Sequence, residues 1–144
     1  MFRDMRRKNQ QMSEEEAINI LTSVSYGVLV LVGDGGYPYT VPLNYVFCDG
    51  KLYFHCASEG HKIDSVKNDD RASFCVVAKD DVVPSMLATD FCSVILFGRV
   101  GFVSGDDEKR LILDKFVEKF ALDFSEYGYA EISKLLNRVF ILEF

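Results

Sequence analysis

Apolar and polar positions alternate along this chain with two periods, and the switches between them mark the elements. Ser13-Glu14-Glu15-Glu16 has the form of a capping box, in which the serine hydroxyl and the third glutamate satisfy each other's backbone N–H groups. Ala17, Ile18, Leu21 and Val24 then recur at helical spacing, which predicts a helix to about Thr22 or Ser23. Tyr26 to Val32 is dense in β-branched and aromatic residues and reads as a buried strand. Asp34-Gly35-Gly36 supplies the positive φ angles of a turn, and Tyr39 to Phe47 is the next strand. Asp49-Gly50 predicts a tight hairpin into Leu52 to Cys56. Gly60 to Asn68 changes period, with Ile63 and Val66 on one face of a short helix. Ala72 to Ala78 is a strand, and Lys79 to Asp90 reads as a loop, or at most a broken segment around Pro84. Phe91 to Val103 is a long strand whose Gly98 and Gly101 suggest a bend, a bulge or the close approach of another group. Asp106-Asp107-Glu108 opens a helix carried by Leu111, Ile112, Lys115, Phe116 and Phe120 to roughly Leu122. A weakly periodic stretch follows, with a short helix near Ile132 to Leu136, and Val139 to Phe144 is a closing strand.

Many strands joined by tight hairpins in so short a chain tend to close on themselves, because closure removes exposed edges. The expectation is a mainly β, antiparallel fold: a small barrel with flanking helices. No repeat, low-complexity tract or linker divides the 144 residues, so one domain spans 1–144, with 1–12 a basic N-terminal arm.

Composition narrows the function classes. The net charge of −6 offers no global field for a phosphate backbone, so nucleic acid is not the expected partner and any phosphate must be held locally. No apolar run reaches membrane-span length, and the arm containing Arg6, Arg7 and Lys8 lacks the apolar core of a secretory signal. Cys48, Cys56, Cys75 and Cys92 form no C-x-x-C pair and lie in or beside strands, as small buried hydrophobes do in a reducing compartment. A soluble, cytoplasmic protein is the expectation.

Nucleophile triads, metalloprotease motifs and the common nucleotide loops are absent. A metal site from His55, Cys56 and His61 would need a further ligand. The unusual segment is Leu52 to Val66, where a strand ends, a polar turn follows and a helix opens with His61-Lys62. Free N–H groups at a helix start favour an anion, and a cation there opposes the helix dipole. Lys62 is therefore either a solvated side chain or a phosphate ligand. His55 shares a strand face with Tyr53 and Ala57, opposite Phe54 and Cys56, and is either a structural histidine or part of a site. Pro42 cannot donate to a ladder, so its strand lies at an edge, a bulge or a break whose backbone could serve a ligand.

Gly36-Tyr37-Pro38-Tyr39-Thr40-Val41-Pro42-Leu43, Leu52-Tyr53-Phe54-His55-Cys56-Ala57, Gly60-His61-Lys62-Ile63-Asp64, Arg71-Ala72-Ser73-Phe74 and Ser93-Val94-Ile95-Leu96-Phe97-Gly98 follow in order. Together they resemble the pyridoxamine-phosphate-oxidase-like FMN-binding split barrels, most closely the branch related to nitroimidazole-resistance proteins. The resemblance implies an antiparallel split β-barrel that binds FMN at a homodimer interface and acts as an oxidoreductase on a small molecule, nitroaromatic compounds in that branch. A sensor or storage protein holding flavin or haem in the same barrel is the alternative. The resemblance also implies site roles. Thr40, Val41, Pro42, Leu43, Asn44 and Tyr45 would line the flavin, and His55 and Cys56 would lie beside its ring or ribityl chain. His61 and Lys62 would grip the phosphate, and Ser93 would approach from a neighbouring strand with help from the other subunit. His55 would face the substrate. Two departures stand out: His61 replaces the usual arginine of that turn, and the chain has no tryptophan, which argues against vitamin B6 oxidation.

Overall fold

Two strands bend from one sheet into another, and those bends close the barrel. The computed structural model describes residues 2–144. Four helices, Glu14–Ser23 (α1), His61–Asn68 (α2), Asp106–Phe120 (α3) and Ser125–Leu135 (α4), flank eight strands. The strands are Tyr26–Val32 (β1), Pro38–Asn44 (β2), Val46–Cys48 (β3), Lys51–Ala57 (β4), Arg71–Val83 (β5), Ala88–Arg99 (β6), Gly101–Phe102 (β7) and Val139–Glu143 (β8). One sheet has the order β2-β1-β5-β6 and the other β3-β4-β8-β7, and all of their ladders are antiparallel. The chain passes from β2 to β3 through Tyr45 and from β6 to β7 through Val100, so the two sheets share two bent strands.

Both bend residues are buried in the barrel core. Tyr45 and Val100 pack with Leu29, Leu31, Phe74, Val76 and Val94 of the first sheet and Leu52, Phe54 and Leu142 of the second. Leu21 of α1 and Ile63 and Val66 of α2 join this core. The second sheet is also covered on its outer side: Val46, Tyr53 and Ile141 pack against Ile112, Leu113, Phe116 and Val117 of α3 and Ile132 of α4. Among the described residues the outer side of the first sheet has no helix over it; Phe2 of the N-terminal arm stacks on Phe97 there at 4.9 Å, and Val77, Ile95 and Phe97 remain more than half exposed.

Local chemistry accounts for most boundaries. The expected capping box forms at α1: the Ser13 N–H donates to the Glu16 carboxylate at 2.7 Å, and the Glu16 N–H donates to Ser13 Oγ at 3.2 Å. Asp49 and Gly50 both have positive φ, 51° and 77°, as a two-residue hairpin turn requires. Gly98 admits the Phe144 ring, which a Cβ there would meet at 3.2 Å.

Four expectations need correction. Tyr39 to Phe47 is two strands, because the chain changes sheet at Tyr45; Pro42 lies on β2, at a sheet edge. Lys79 to Asp90 is no loop: β5 and β6 pair out to Val83 and Ala88, past a register shift between Val77 and Lys79. A cross-strand ion pair between Lys79 and Asp90 supports this two-stranded ribbon, whose consecutive charges Lys79-Asp80-Asp81 break the apolar alternation of a strand. The last helix spans Ser125–Leu135, longer than expected; Gly128 inside it seats against Val117, where a Cβ would come within 2.8 Å, so this position of the pattern serves packing. In α3, Leu113 rather than Leu111 faces the core; Leu111 is 56% exposed.

Gly27 carries the tightest packing. A Cβ there would lie 2.4 Å from the Phe74 ring and 2.7 Å from the Cys75 carbonyl oxygen. Gly27→Ala is expected to lower stability by about 2 kcal/mol through overpacking. Gly101→Ala, with nothing within 4 Å, is the control expected to move the urea midpoint little.

Candidate functional site

The bend at Tyr45 opens a cleft. β3 pairs only Lys51 to Tyr53 of β4, so His55 to Ala57 keep one side of their backbone free and bond only to β8 on the other. Before the bend, β2 is the edge of its own sheet and pairs only with β1. The two strands part from one point and leave two unpaired backbone edges. From Tyr39 to Asn44 the β2 edge runs about 17 Å, at a rise of about 3.4 Å per residue.

The far end of the cleft is the start of α2. Its cap residue, Gly60, has φ 122° and offers no side-chain hydrogen bond, so the first-turn N–H groups lack the satisfaction that Ser13 gives α1. The His61 ring stacks on Tyr39 of β2, with centroids 3.9 Å apart and an angle of 21°, and its Nε2 lies 3.6 Å from the Asp34 carboxylate. Thus α2 and the β1–β2 turn meet across the cleft end. Lys62 is partly buried, and among the described residues it has no carboxylate partner. A cation held unpaired at a helix N-terminus is unfavourable by itself, and a phosphate placed there relieves it.

The near end of the cleft is a groove of about 310 Å³ lined by Asn44, His55, Phe116, Val117, Phe120 and Ala121. His55 projects to the α3 side, where its ring meets Phe116 edge-on at 4.7 Å and 78°. The residue remains solvent-exposed, and its contact with Phe116 on the α3 wall removes water from part of the ring. That desolvation, and secondarily the charge of Lys62, pushes the His55 pKa below the ordinary histidine value. Cys56 points the other way, beside the core; its thiol donates to the Phe140 carbonyl at 3.6 Å, and burial pushes its pKa up.

The candidate residues are thus sorted by side. Thr40, Pro42 and Asn44 are exposed on the outer side of β2, whereas Val41 and Leu43 are partly buried. Tyr45 has no exposed surface: its ring is wholly in the core, its hydroxyl is buried without a partner, and desolvation pushes its pKa up to about 12. Its side chain therefore cannot line a ligand. Ser93 is on β6, the strand at the opposite edge of the sheet from β2, so one chain does not bring it to the cleft. His55, Cys56 and His61 do not converge; among the described residues no three potential metal ligands cluster. No helix among them is long and apolar enough to cross a membrane.

A family model described as pyridoxamine 5'-phosphate oxidase matches residues 13–135. The chain belongs to that family. Solved structures share the fold. A conserved hypothetical protein from Mycobacterium tuberculosis superposes with a TM-score of 0.85 at 18% identity, covering 98% of this chain and 84% of its own. A candidate 5-nitroimidazole antibiotic resistance protein from Bacteroides thetaiotaomicron gives 0.74 at 20% identity, with 92% and 79% covered. An FAD- and haem-binding protein from Mycobacterium smegmatis gives 0.70 at 23% identity, with 93% and 66% covered. No curated protein matches the chain in sequence.

Within this pyridoxamine 5'-phosphate oxidase framework, sequence reasoning missed the α3 wall of the groove. Phe116 and Phe120 stand four apart with stacked rings, centroids 6.0 Å apart at 24°, a stripe that reads as core. It also missed Lys119, whose Nζ donates to the Val24 carbonyl at 2.7 Å and the Tyr45 carbonyl at 3.0 Å and lies 4.2 Å from the Tyr45 ring centroid. Its signal in the sequence is only a cation on the inner side of an amphipathic helix.

Two outcomes follow from this geometry. Tyr45→Phe removes an unpaired buried hydroxyl and is expected to leave stability equal or raise it by about 1 kcal/mol, measured by urea denaturation. For His55, the folded pKa is depressed. Its share of stability is therefore complete above the ordinary histidine pKa and is lost as pH falls through that value toward the folded one. Wild type should lose more thermal stability than His55→Phe on moving from pH 7.5 to pH 5.

Proposed function

We propose that the protein binds FMN in the cleft between β2 and β4 and works as an oxidoreductase on a small molecule, of the nitroimidazole-resistance type. The observation that carries this reading is the cleft itself. Two free strand edges diverge from Tyr45, and the uncapped start of α2 with Lys62 closes their far end. Backbone groups of β2 and of His55 to Ala57 would satisfy the polar ring edge and ribityl chain, and Lys62, His61 and the α2 N–H groups would hold the phosphate. When bound, the flavin supplies the electron or hydride transfer; the chain supplies position, exclusion of water and hydrogen bonds. His55 faces the substrate-sized groove and is the candidate substrate contact.

The uncovered outer side of the first sheet supports a homodimer. Val77, Ile95, Phe97 and Phe91 are exposed there, alongside Cys75 and Ser73. A second copy seated on this side would cover it and would bring its own β6, with Ser93, toward the exposed side chains of Thr40 and Pro42. In the family a shared, interface-built site is the common arrangement, and light scattering that gives the mass of one chain would contradict it here.

The test is the visible spectrum of the freshly purified protein, with mass analysis of what heat releases. Flavin absorbance with released FMN supports the reading; a colourless protein that takes up no added FMN overturns it. Lys62→Ala is expected to weaken FMN binding by at least about tenfold with the fold intact, as loss of a charge-assisted hydrogen bond does. His61→Arg is expected to tighten it, by restoring a fixed guanidinium fork. Bound flavin without turnover under any reductant would favour storage or sensing over catalysis.

A further inference from the structure

The ladders divide the outer face of the first sheet into two halves. Thr40, Val30, Ser73 and Phe97 stand in one row across the four strands, from β2 to β6. On one side of that row lie Cys75, Ile95 and Val77, the surface offered to a second copy. On the other side lie Pro38, Val32, Arg71 and Arg99, and there the face is hollowed into a pocket of about 860 Å³. The dimer surface and the pocket thus meet along the Ser73–Phe97 row without coinciding. Val30, Val32, Pro38 and Phe97 make the pocket apolar over most of its lining. The Phe2 ring of the N-terminal arm stacks on Phe97 with centroids 4.9 Å apart and an angle of 15°, yet both rings stay more than half exposed. A loosely held ring of the chain itself therefore occupies the aromatic position.

Arg71 and Arg99 face each other directly across β5 and β6, a pairing that costs free energy because like charges oppose. Each is balanced on one flank only. Arg71 gives Nε and Nη2 to the Asp69 carboxylate, and Arg99 gives Nη1 to Asp70. Among the described residues, Arg71 Nη1 and the Nε–Nη2 edge of Arg99 have no acceptor. That edge is a planar fork of the kind that takes a carboxylate through two parallel hydrogen bonds. A group with two negative charges is worse placed, because Asp69 and Asp70 stand beside it. We infer that this pocket is a second ligand site, for a planar aromatic monocarboxylate whose ring stacks on Phe97 in the place of Phe2 and whose carboxylate bridges Arg99 and Arg71. The polar side chains that line it are Arg71, Ser73 and Arg99, which suits binding rather than chemistry. None of these side chains belongs to the flavin site proposed above, so the inference stands apart from the cofactor reading.

The chain has no tryptophan, so naphthoate fluorescence reports binding without overlap from the strongest protein fluorophore. The protein as purified is titrated with naphthoate, with its uncharged counterpart naphthamide and with the dianion naphthyl phosphate, and binding is read as fluorescence polarisation. Naphthoate is expected to bind at least about tenfold more tightly than either of the others. Arg99→Gln is expected to weaken naphthoate about tenfold and to leave naphthamide unchanged. Its urea midpoint should stay near that of the wild type, because the ion pair it breaks is exposed. Phe2→Ala, a change in the arm outside the barrel, is expected to tighten naphthoate binding about threefold by removing a competing ring. Equal affinity for naphthoate and either of the other two, no binding of naphthoate, or binding untouched by Arg99→Gln overturns the site. Weaker binding by Phe2→Ala overturns the exchange of Phe2 for the ligand. Weakening by Lys62→Ala in place of Arg99→Gln would put the anion in the cleft and overturns the site as well. Whether FMN is bound is read from the visible spectrum, so the two readings fail separately.

Discussion

The bend at Tyr45 is the constraint on which the rest of this structure depends. A β-strand that leaves one sheet for another must give up ladder hydrogen bonds at the crossing, and the freed carbonyls need donors. Lys119 provides them. Its ammonium group ties the Tyr45 carbonyl to that of Val24, at the end of α1, from a position on the last turn of α3. Three elements distant in sequence are thereby fixed at one point. Among the described residues no carboxylate balances the charge; the two carbonyls and the Tyr45 and Phe120 rings do so, and desolvation pushes the lysine pKa below its ordinary value. Without the bend, β2 and β4 would continue as neighbours, their edges would pair, and no cleft would exist.

The same bend creates an asymmetry between the sheets. The second sheet is packed on both sides, by the barrel core and by α3 with α4. The first is packed on one side only. Among the described residues no helix packs on that other side, where only Phe2 of the N-terminal arm stacks on Phe97, and the face carries exposed Val77, Phe91, Ile95 and Phe97 rather than the charged residues that usually guard an exposed sheet. The β5–β6 ribbon runs beyond the reach of β1, which pairs β5 only from Ala72 to Cys75. Its turn exposes Met86 and Leu87, the latter at a positive φ of 48°. The ribbon carries charge at Lys79, Asp80, Asp81 and Asp90, but its exposed Val82, Met86, Leu87 and Phe91 continue the apolar face of Val77, Ile95 and Phe97, which is why a partner copy is part of the proposed function.

Much of this was legible in the sequence where one local rule acts alone. The capping box at Ser13, the Asp49-Gly50 hairpin and the run Tyr26 to Val32 each needed a single principle, and each forms at the expected residues. The family resemblance rests on short motifs in order, and the family model that matches residues 13–135 spans them all. What stayed hidden is tertiary. Nothing in Thr40-Val41-Pro42-Leu43-Asn44-Tyr45 says that the chain changes sheets at its last residue, so Tyr45 was grouped with a ligand wall that its ring does not reach. The charged ribbon Lys79 to Asp90 read as a loop because two exposed strands that pair chiefly with each other need no apolar period. Gly128 weakened the pattern of α4 for a packing reason that only Val117 reveals. Phe116 and Phe120 looked like ordinary core residues, since a helical stripe does not tell whether its end faces a sheet or a groove.

The far end of the cleft shows how one residue can shift several terms together. An arginine at position 61 would offer a permanent charge and a planar fork. His61 offers a ring that stacks on Tyr39 at 3.9 Å and a nitrogen 3.6 Å from Asp34. The stack helps to close the far end of the cleft by joining α2 to β2, a packing role that a solvated guanidinium need not fill. The far end of the cleft is therefore built from an uncapped helix start, one lysine and an aromatic stack rather than from two fixed cations, and its shape depends on the contact between α2 and β2 as much as on charge.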